Sequence, residues 1–295
     1  MRSLIIGGSG FIGSAIVEEL LRSSDNEVHI LDDHASYDNQ QEGAHYHIGN
    51  VKTGEYGPTT SVQWDYVVNL AGTLGTSEMF DDLSSIIDNI QEALNVLTTI
   101  KTGTIIYPIM PEVWINPYTV SKIAARLIHE MFAKQFHRKI ILVRLFNVYG
   151  PRQKWKPVQK AVPKFIMDAL NDAPIGVYGS GKQTMDLTYS SDVARAFAGL
   201  MKSPPTKEYC IVEVGTGIET SVNQCVQDII QYIGSKSSVV YLPMRRGEDL
   251  DTSIACRDPY PLEAGYSRWP MKLGEVVDWY NDKFVHRRIK HYRQR

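Results

Sequence analysis

The chain has 295 residues, of which 43% are apolar and 22% charged, and its formal net charge is −2. That is enough chain to bury one large core or two modest ones, and it excludes a disordered polypeptide. The near-balanced charge excludes an overall footprint for nucleic acid or for an anionic membrane surface and leaves a small ligand as the expected partner.

The chain opens on Met1-Arg2-Ser3-Leu4-Ile5-Ile6-Gly7, without a charged leader ahead of a long apolar segment, so a cytoplasmic location is the expectation. Apolar runs at Ser3 to Ile6, Val28 to Leu31, Tyr66 to Leu70, Thr104 to Tyr107 and Ile140 to Leu145 are predicted strands. Between them Gly13 to Arg22, Asp82 to Thr99 and Tyr118 to Phe136 carry apolar residues at helical spacing. Strands alternating with helices predict an α/β fold, a Rossmann-type doubly wound parallel sheet. The periodicity breaks across 150–157, where the chain is expected to leave a first domain (1–150) for a smaller mixed α/β domain (151–295), with some segments returning to the first. Helices are predicted from Pro163 to Leu170 and from Ser221 to Ile233, and turns at Gly179-Ser180-Gly181 and Gly215-Thr216-Gly217. Cys210, Cys225 and Cys256 have neither metal-ligand spacing nor an even count and are expected to be reduced packing residues, with no metal site. The basic tail from His286 to Arg295 is expected to be a solvated end.

Chemistry enters at Gly7-Gly8-Ser9-Gly10-Phe11-Ile12-Gly13. Gly7, Gly10 and Gly13 follow a buried strand and open a helix, so the turn can be tight while backbone N–H groups at the helix start face a pyrophosphate. Asp32 ends the second strand, nineteen residues past Gly13. Its carboxylate is placed for the adenosine ribose hydroxyls and would repel a 2′-phosphate, which favours NAD over NADP. Asn50, after the third strand, is a candidate for the adenine border. Asn116-Pro117-Tyr118-Thr119-Val120-Ser121-Lys122 then sets a tyrosine and a lysine four apart, on one face of a helix.

With these motifs, Asn69-Leu70-Ala71-Gly72, Asn89 and Arg144-Leu145-Phe146-Asn147-Val148-Tyr149-Gly150-Pro151, the sequence resembles the nucleotide-sugar epimerase/dehydratase branch of the extended short-chain dehydrogenase/reductase family. The resemblance runs over nearly the whole chain and implies tightly held NAD, a homodimer and a nucleotide-sugar substrate, with UDP the commonest carrier. It implies that Ala71 and Asn89 border the cofactor and that Asn147, Tyr178 and Arg245 hold the nucleotide or diphosphate. Tyr118 becomes the general base for a sugar hydroxyl, its phenol lowered by the Lys122 ammonium and the cationic nicotinamide.

Departures from the family pattern concern the bond finally changed. Where relatives carry a Ser or Thr that hydrogen-bonds the reacting sugar oxygen, this chain has Met110; Thr73, Ser77 or Thr119 could supply a hydroxyl instead. Glu112 stands where dehydratases and decarboxylases of the branch often have an acid acting near C5, and Pro111 where dehydratases have a neighbouring acid. Met185 replaces an arginine expected on the diphosphate, leaving that charge to Arg245, with Lys182 a second candidate. The expected activity is 4-epimerisation through a 4-keto sugar. Its alternatives are dehydration or decarboxylation through Glu112, and an NAD-binding protein impaired in catalysis.

Overall fold

The computed structural model describes residues 1–34, 39–154, 158–249 and 254–292, with side chains as far as Lys283. Residues 155–157 of the predicted exit segment and the basic side chains of 286–295 lie outside the described residues.

Seven parallel strands form the main sheet: β1 (Arg2–Ile6), β2 (Glu27–Asp32), β3 (His45–Ile48), β4 (Trp64–Asn69), β5 (Thr102–Ile109), β6 (Lys139–Leu145) and, much later in the chain, β10 (Tyr209–Val214). Their order across the sheet is β10-β6-β5-β4-β1-β2-β3. Each of the five apolar runs is one of these strands. They read as runs because both faces of the sheet are covered, so that Leu4 and Ile6 enter one core while Ile5 enters the other. The third strand has no such run: β3 lies at the sheet edge, its residues only partly buried.

Helices α2 (Ser84–Thr99) and α3 (Pro117–Phe136) cover one face with Ala93, Val96, Leu97, Ala125 and Phe132. On the other face α1 (Phe11–Leu20) packs beside α5 (Ser190–Lys202) through Ile16, Val17, Val193 and Phe197. Thus α5 and β10, from the second half of the chain, complete the main sheet and its layer. The signal for this was local and ambiguous, because Tyr209–Val214 is a partly exposed edge strand.

A second core gathers α4 (Ala161–Leu170), α6 (Val222–Ile233) and α7 (Leu273–Tyr292) around short strands. These strands are β7 (Asn147–Tyr149), β9 (Thr184–Tyr189) and β11 (Glu219–Ser221) in one sheet, with β8 (Ile175–Tyr178) and β12 (Val239–Leu242) in another. Met185 is one of its core residues. A fully buried carboxylate joins the parts. Asp186 on β9 accepts hydrogen bonds from the Thr216 N–H (2.9 Å), the Thr216 hydroxyl (2.6 Å), the Gly217 N–H (2.9 Å) and the Cys256 N–H (2.9 Å).

The order of strands reverses between β1 and β4, and the crevice beyond the carboxyl ends of these two strands is where an open α/β sheet takes its ligand. The glycine turn follows β1, and Leu70 and Ala71 follow β4.

Candidate active site

The glycine turn is as tight as its spacing predicts. Gly7 has φ +75°, donates its N–H to the Leu31 carbonyl at 2.8 Å and lies against the backbone of Leu70 and Ala71, so a side chain there would meet both strain and contact. Gly13 packs on the turn itself: a Cβ at this position would stand 2.3 Å from the Gly7 carbonyl oxygen and 2.7 Å from Gly8 Cα. Gly10 is the N-cap of α1 and has no capping side chain, which leaves the first N–H groups of the helix open to an anion. Phe11 lies against Gly150, and Ile12 packs on the core beneath α1.

Asp32 is fixed beside this turn, its two carboxylate oxygens accepting the Ser9 N–H at 2.9 Å and the His34 N–H at 3.1 Å. Burial pushes its carboxyl above the ordinary range, while the two N–H groups oppose that shift. Asn39 adds a bond from its amide to the Ser9 carbonyl at 2.8 Å. Two polar atoms around the crevice, Ser9 Oγ and Asn69 Nδ2, are buried and find no partner among the described residues. Such atoms cost free energy unless something hydrogen-bonds them. The glycine cradle, the open helix start, the anchored acid and these two orphaned groups together fit a dinucleotide.

Asn50 and Asn89 both make hydrogen bonds within the protein. Asn50 Oδ1 accepts the Lys52 N–H at 2.9 Å, and its carbonyl accepts the Glu55 N–H at 2.9 Å, so it shapes its own turn. Asn89 is buried; its Oδ1 accepts the Thr73 N–H (2.7 Å), and its amide donates to the Thr73 carbonyl (3.1 Å) and to Ser121 Oγ (2.9 Å). With its polar atoms engaged, Asn89 braces the loop after β4 against α3. Asn89 thereby holds Thr73 in place, and Ala71, two residues earlier, lies where the crevice begins.

Helix α3 starts as Asn-Pro should make it start. Asn116 caps it by accepting the Thr119 N–H at 2.9 Å, and Pro117 occupies the first turn. Tyr118 and Lys122 therefore lie one turn apart on one face. Tyr118 is partly buried, whereas Lys122 is buried, with its ammonium donating to the Tyr107 hydroxyl at 2.8 Å. Burial pushes the Tyr118 phenol above its ordinary value and Lys122 opposes it; burial pushes the Lys122 ammonium down and Tyr118 opposes that. The expected lowering of the phenol is thus not achieved by the protein's own groups, because desolvation outweighs the one nearby ammonium.

Met110 follows β5 and is partly buried. Among the hydroxyls that could replace it, Ser77 donates to Glu78 Oε2 at 3.3 Å, while Thr119 is fully buried and its hydroxyl finds no partner among the described residues. Glu112 is exposed and accepts from Arg126 Nε at 2.8 Å. That pair lines a groove of about 750 Å³ together with Arg144, Glu213 and Arg257. Any role for Glu112 at a sugar carbon requires its ion pair to open.

On the substrate side Arg245 stacks over the Tyr178 ring, with its guanidinium 5.0 Å from the ring centre, and is paired with Glu248. The Asn116 amide donates to the Gly247 carbonyl at 3.1 Å, tying this loop to the start of α3. Asn147 opens β7 and is partly buried; Lys182 is exposed in its turn. Lys160, just ahead of α4, was not singled out from sequence, where nothing distinguishes it from any lysine before an apolar run. Burial lowers its ammonium, with Arg245 acting the same way and Glu78 and Glu248 opposing. Lys160 is thus a second, partly buried cation close enough to Arg245 to feel its charge, whereas Met185 lies inside the second core.

Comparison with known proteins shows the family and the fold. The UDP-N-acetyl-alpha-D-glucosaminuronate decarboxylase of Bacillus cytotoxicus is 29% identical over 277 residues, spanning 83% of this chain and 84% of that protein. Human dTDP-D-glucose 4,6-dehydratase is 30% identical over 179 residues, 57% of this chain and 49% of its own length. The crystal structure of UDP-glucose 4-epimerase from Thermotoga maritima, solved with UDP-glucose, shares the fold with a TM-score of 0.83 at 22% identity, over 96% of this chain and 100% of that one. The model of the NAD dependent epimerase/dehydratase family matches residues 3–215, and the chain belongs to that family of NAD-dependent enzymes.

Proposed function

We propose that this chain is a nucleotide-sugar 4-epimerase that works through a transient 4-keto sugar, with a UDP-hexose as the substrate class. The observation that carries the reading is the pairing of Tyr118 with buried Lys122 on one face of α3. Bound NAD supplies the acceptor for the C4 hydride and its source on return. Tyr118 takes the proton from the sugar O4 and gives it back to the same oxygen once the C4 configuration has changed. Lys122, held by Tyr107, favours the phenolate by its charge. Gly7, Gly10, Phe11, Ile12 and Gly13 shape the pyrophosphate cradle, Asp32 receives the adenosine ribose and Ala71 borders the crevice. Arg245 and Lys160 meet the substrate diphosphate, and Asn147 and Tyr178 hold the nucleotide. The preference for UDP follows the uridine substrates named for the Bacillus cytotoxicus and Thermotoga maritima proteins.

A second reading, C5 deprotonation leading to dehydration or decarboxylation, rests on Glu112 and is disfavoured by its ion pair with Arg126. The same proposal makes the protein a cytoplasmic homodimer. Its support is the apolar exposure on α2 and α3, with Ile87 67% and Leu127 52% exposed. No helix among the described residues is long and apolar enough to cross a membrane.

A panel of UDP-hexoses and UDP-uronic acids, with products identified by NMR, tests the reading. A C4 epimer is the expected product; a decarboxylated or dehydrated sugar would establish the second reading, and unchanged sugars throughout would overturn both. Met110→Thr is expected to raise kcat by about 10-fold to 100-fold with little change in KM, since it restores one hydrogen-bond donor to the reacting oxygen. An unchanged kcat would show that another hydroxyl, such as that of Thr119, already does this.

A further inference from the structure

The loop that carries Arg245 is joined to the helix that carries Tyr118 by one buried side chain. Asn116 is buried and has both ends of its amide engaged. Its Oδ1 accepts the Thr119 N–H at 2.9 Å and caps α3, while its Nδ2 donates at 3.1 Å to the carbonyl of Gly247, 131 residues further along the chain. Gly247 is the third residue of a turn in which the Glu248 N–H donates to the Arg245 carbonyl at 3.2 Å, and Arg245 and Glu248 also pair through their side chains. Only glycine fits this joint. Gly247 has φ +82°, and a Cβ there would stand 2.9 Å from Asn116 Cβ and 2.7 Å from Phe80 Cε2. Phe80, in the short turn Glu78–Phe80, closes the other side, with the Arg246 guanidinium over its ring at 4.0 Å. Residues 245–248 are thus held between the start of α3 and Phe80, with the Arg245 guanidinium over the Tyr178 ring.

We propose that Asn116 is a positioning residue that couples the two ends of the substrate site: its amide sets the Arg245 turn for the diphosphate and, through the cap, the first turn of α3 for the sugar. The inference rests on the reading of Arg245 as a diphosphate contact and of Tyr118 as the base. Tyr118 lies two residues past Asn116, and the N–H groups of Thr119 and Val120 that follow it are both fixed on Asn116, one on the side chain and one on the carbonyl. A shift of the Arg245 turn therefore reaches Tyr118 through one side chain and one helical turn. The coupling runs both ways: an anion that orders the Arg245 turn also orders the start of α3, and a joint that is broken leaves the turn to be ordered at the expense of binding. Asparagine suits this place because it both accepts and donates. An ionised aspartate would cap without donating, and serine caps as well but brings one short hydroxyl in place of a two-ended amide.

The test measures UDP binding to the NAD-loaded protein by calorimetry, in the wild type, Asn116→Ser, Arg245→Met and the double variant. Serine keeps the cap, so NAD affinity and the thermal midpoint should change little. Expected is UDP binding about 10-fold weaker in Asn116→Ser, and no weaker in the double variant than in Arg245→Met, because Asn116 acts through the Arg245 turn. Equal UDP affinity in the wild type and Asn116→Ser would overturn the inference, and so would effects that simply add, the mark of a structural role. Wild-type affinity in Arg245→Met would refute the diphosphate reading and the inference with it. Gly247→Ala reads the link to Tyr118, since it opens the joint from the far side and leaves the cap residue in place. It should raise KM for the UDP-sugar and also lower kcat, each by about 10-fold, whereas a raised KM with an unchanged kcat would overturn the coupling. Should Asn116→Ser fail to fold, Gly247→Ala takes its place in the cycle with Arg245→Met. Non-additive affinities in a protein whose product is decarboxylated would uphold the coupling while refuting the epimerase reading. Epimerisation at C4 with additive affinities would do the reverse.

Discussion

Tyr118→Phe is expected to lower turnover by about 10²- to 10⁴-fold while changing NAD affinity by no more than about threefold. The magnitude is that of one positioned general base, and the separation of effects follows from the site's construction. On the proposed reading the phenol of α3 would meet the sugar, whereas the glycine turn, the start of α1 and Asp32 would hold the dinucleotide. Removing one hydroxyl leaves the Asn116 cap, the Lys122–Tyr107 hydrogen bond and the Asn89 brace intact. Turnover in a sugar-exchange assay and NAD binding by fluorescence check the two halves. A variant that turned over like the wild type would place the base elsewhere.

Gly13→Ala should have the largest effect on the cofactor. One methyl group would stand 2.3 Å from the Gly7 carbonyl oxygen, which already accepts the Gly10 N–H at 3.1 Å. Neither contact can relax by a rotamer change, because both neighbours are backbone, so either the turn opens or α1 shifts. Overpacking of this kind costs about 1–3 kcal/mol of stability. If the turn holds the pyrophosphate, its opening should weaken NAD binding by about 100-fold, as losing charge-assisted hydrogen bonds worth about 3 kcal/mol would. Calorimetry of NAD binding, with thermal unfolding of the same sample, measures both. Retention of wild-type affinity would mean that the pyrophosphate does not sit on this turn.

The parts of this molecule that announce themselves in sequence are those whose physics is local. Buried parallel strands read as apolar runs, the glycine turn reads as three spaced glycines, and Asn116-Pro117 reads as a helix start because cap and first turn are adjacent in the chain. Less legible were features that depend on distant partners. Residues Tyr209–Val214 joined the main sheet by pairing with Lys139–Leu145, a relation that no periodicity within either segment expresses. The hydrogen bonds by which Asn89 joins Thr73 to Ser121 depend on partners far along the chain. Lys160 gave no signal at all, since partial desolvation of a charge is a property of the packed molecule. Tyr118 and Lys122 were legible as a pair, but the direction in which the protein shifts the phenol was not, because desolvation is invisible in a spacing of four.

The central claim is that Tyr118 takes the hydroxyl proton of a sugar carbon whose hydride would pass to NAD held by the glycine turn. Single-turnover mixing of the NAD-loaded protein with a UDP-hexose deuterated at C4 tests it most directly. Following the near-ultraviolet band of reduced nicotinamide, the account predicts a transient rise that is slowed by the deuterium, absent in Tyr118→Phe, and followed by an epimer that retains deuterium at C4. An epimer formed with the label washed into solvent and no reduced nicotinamide at any time would contradict it.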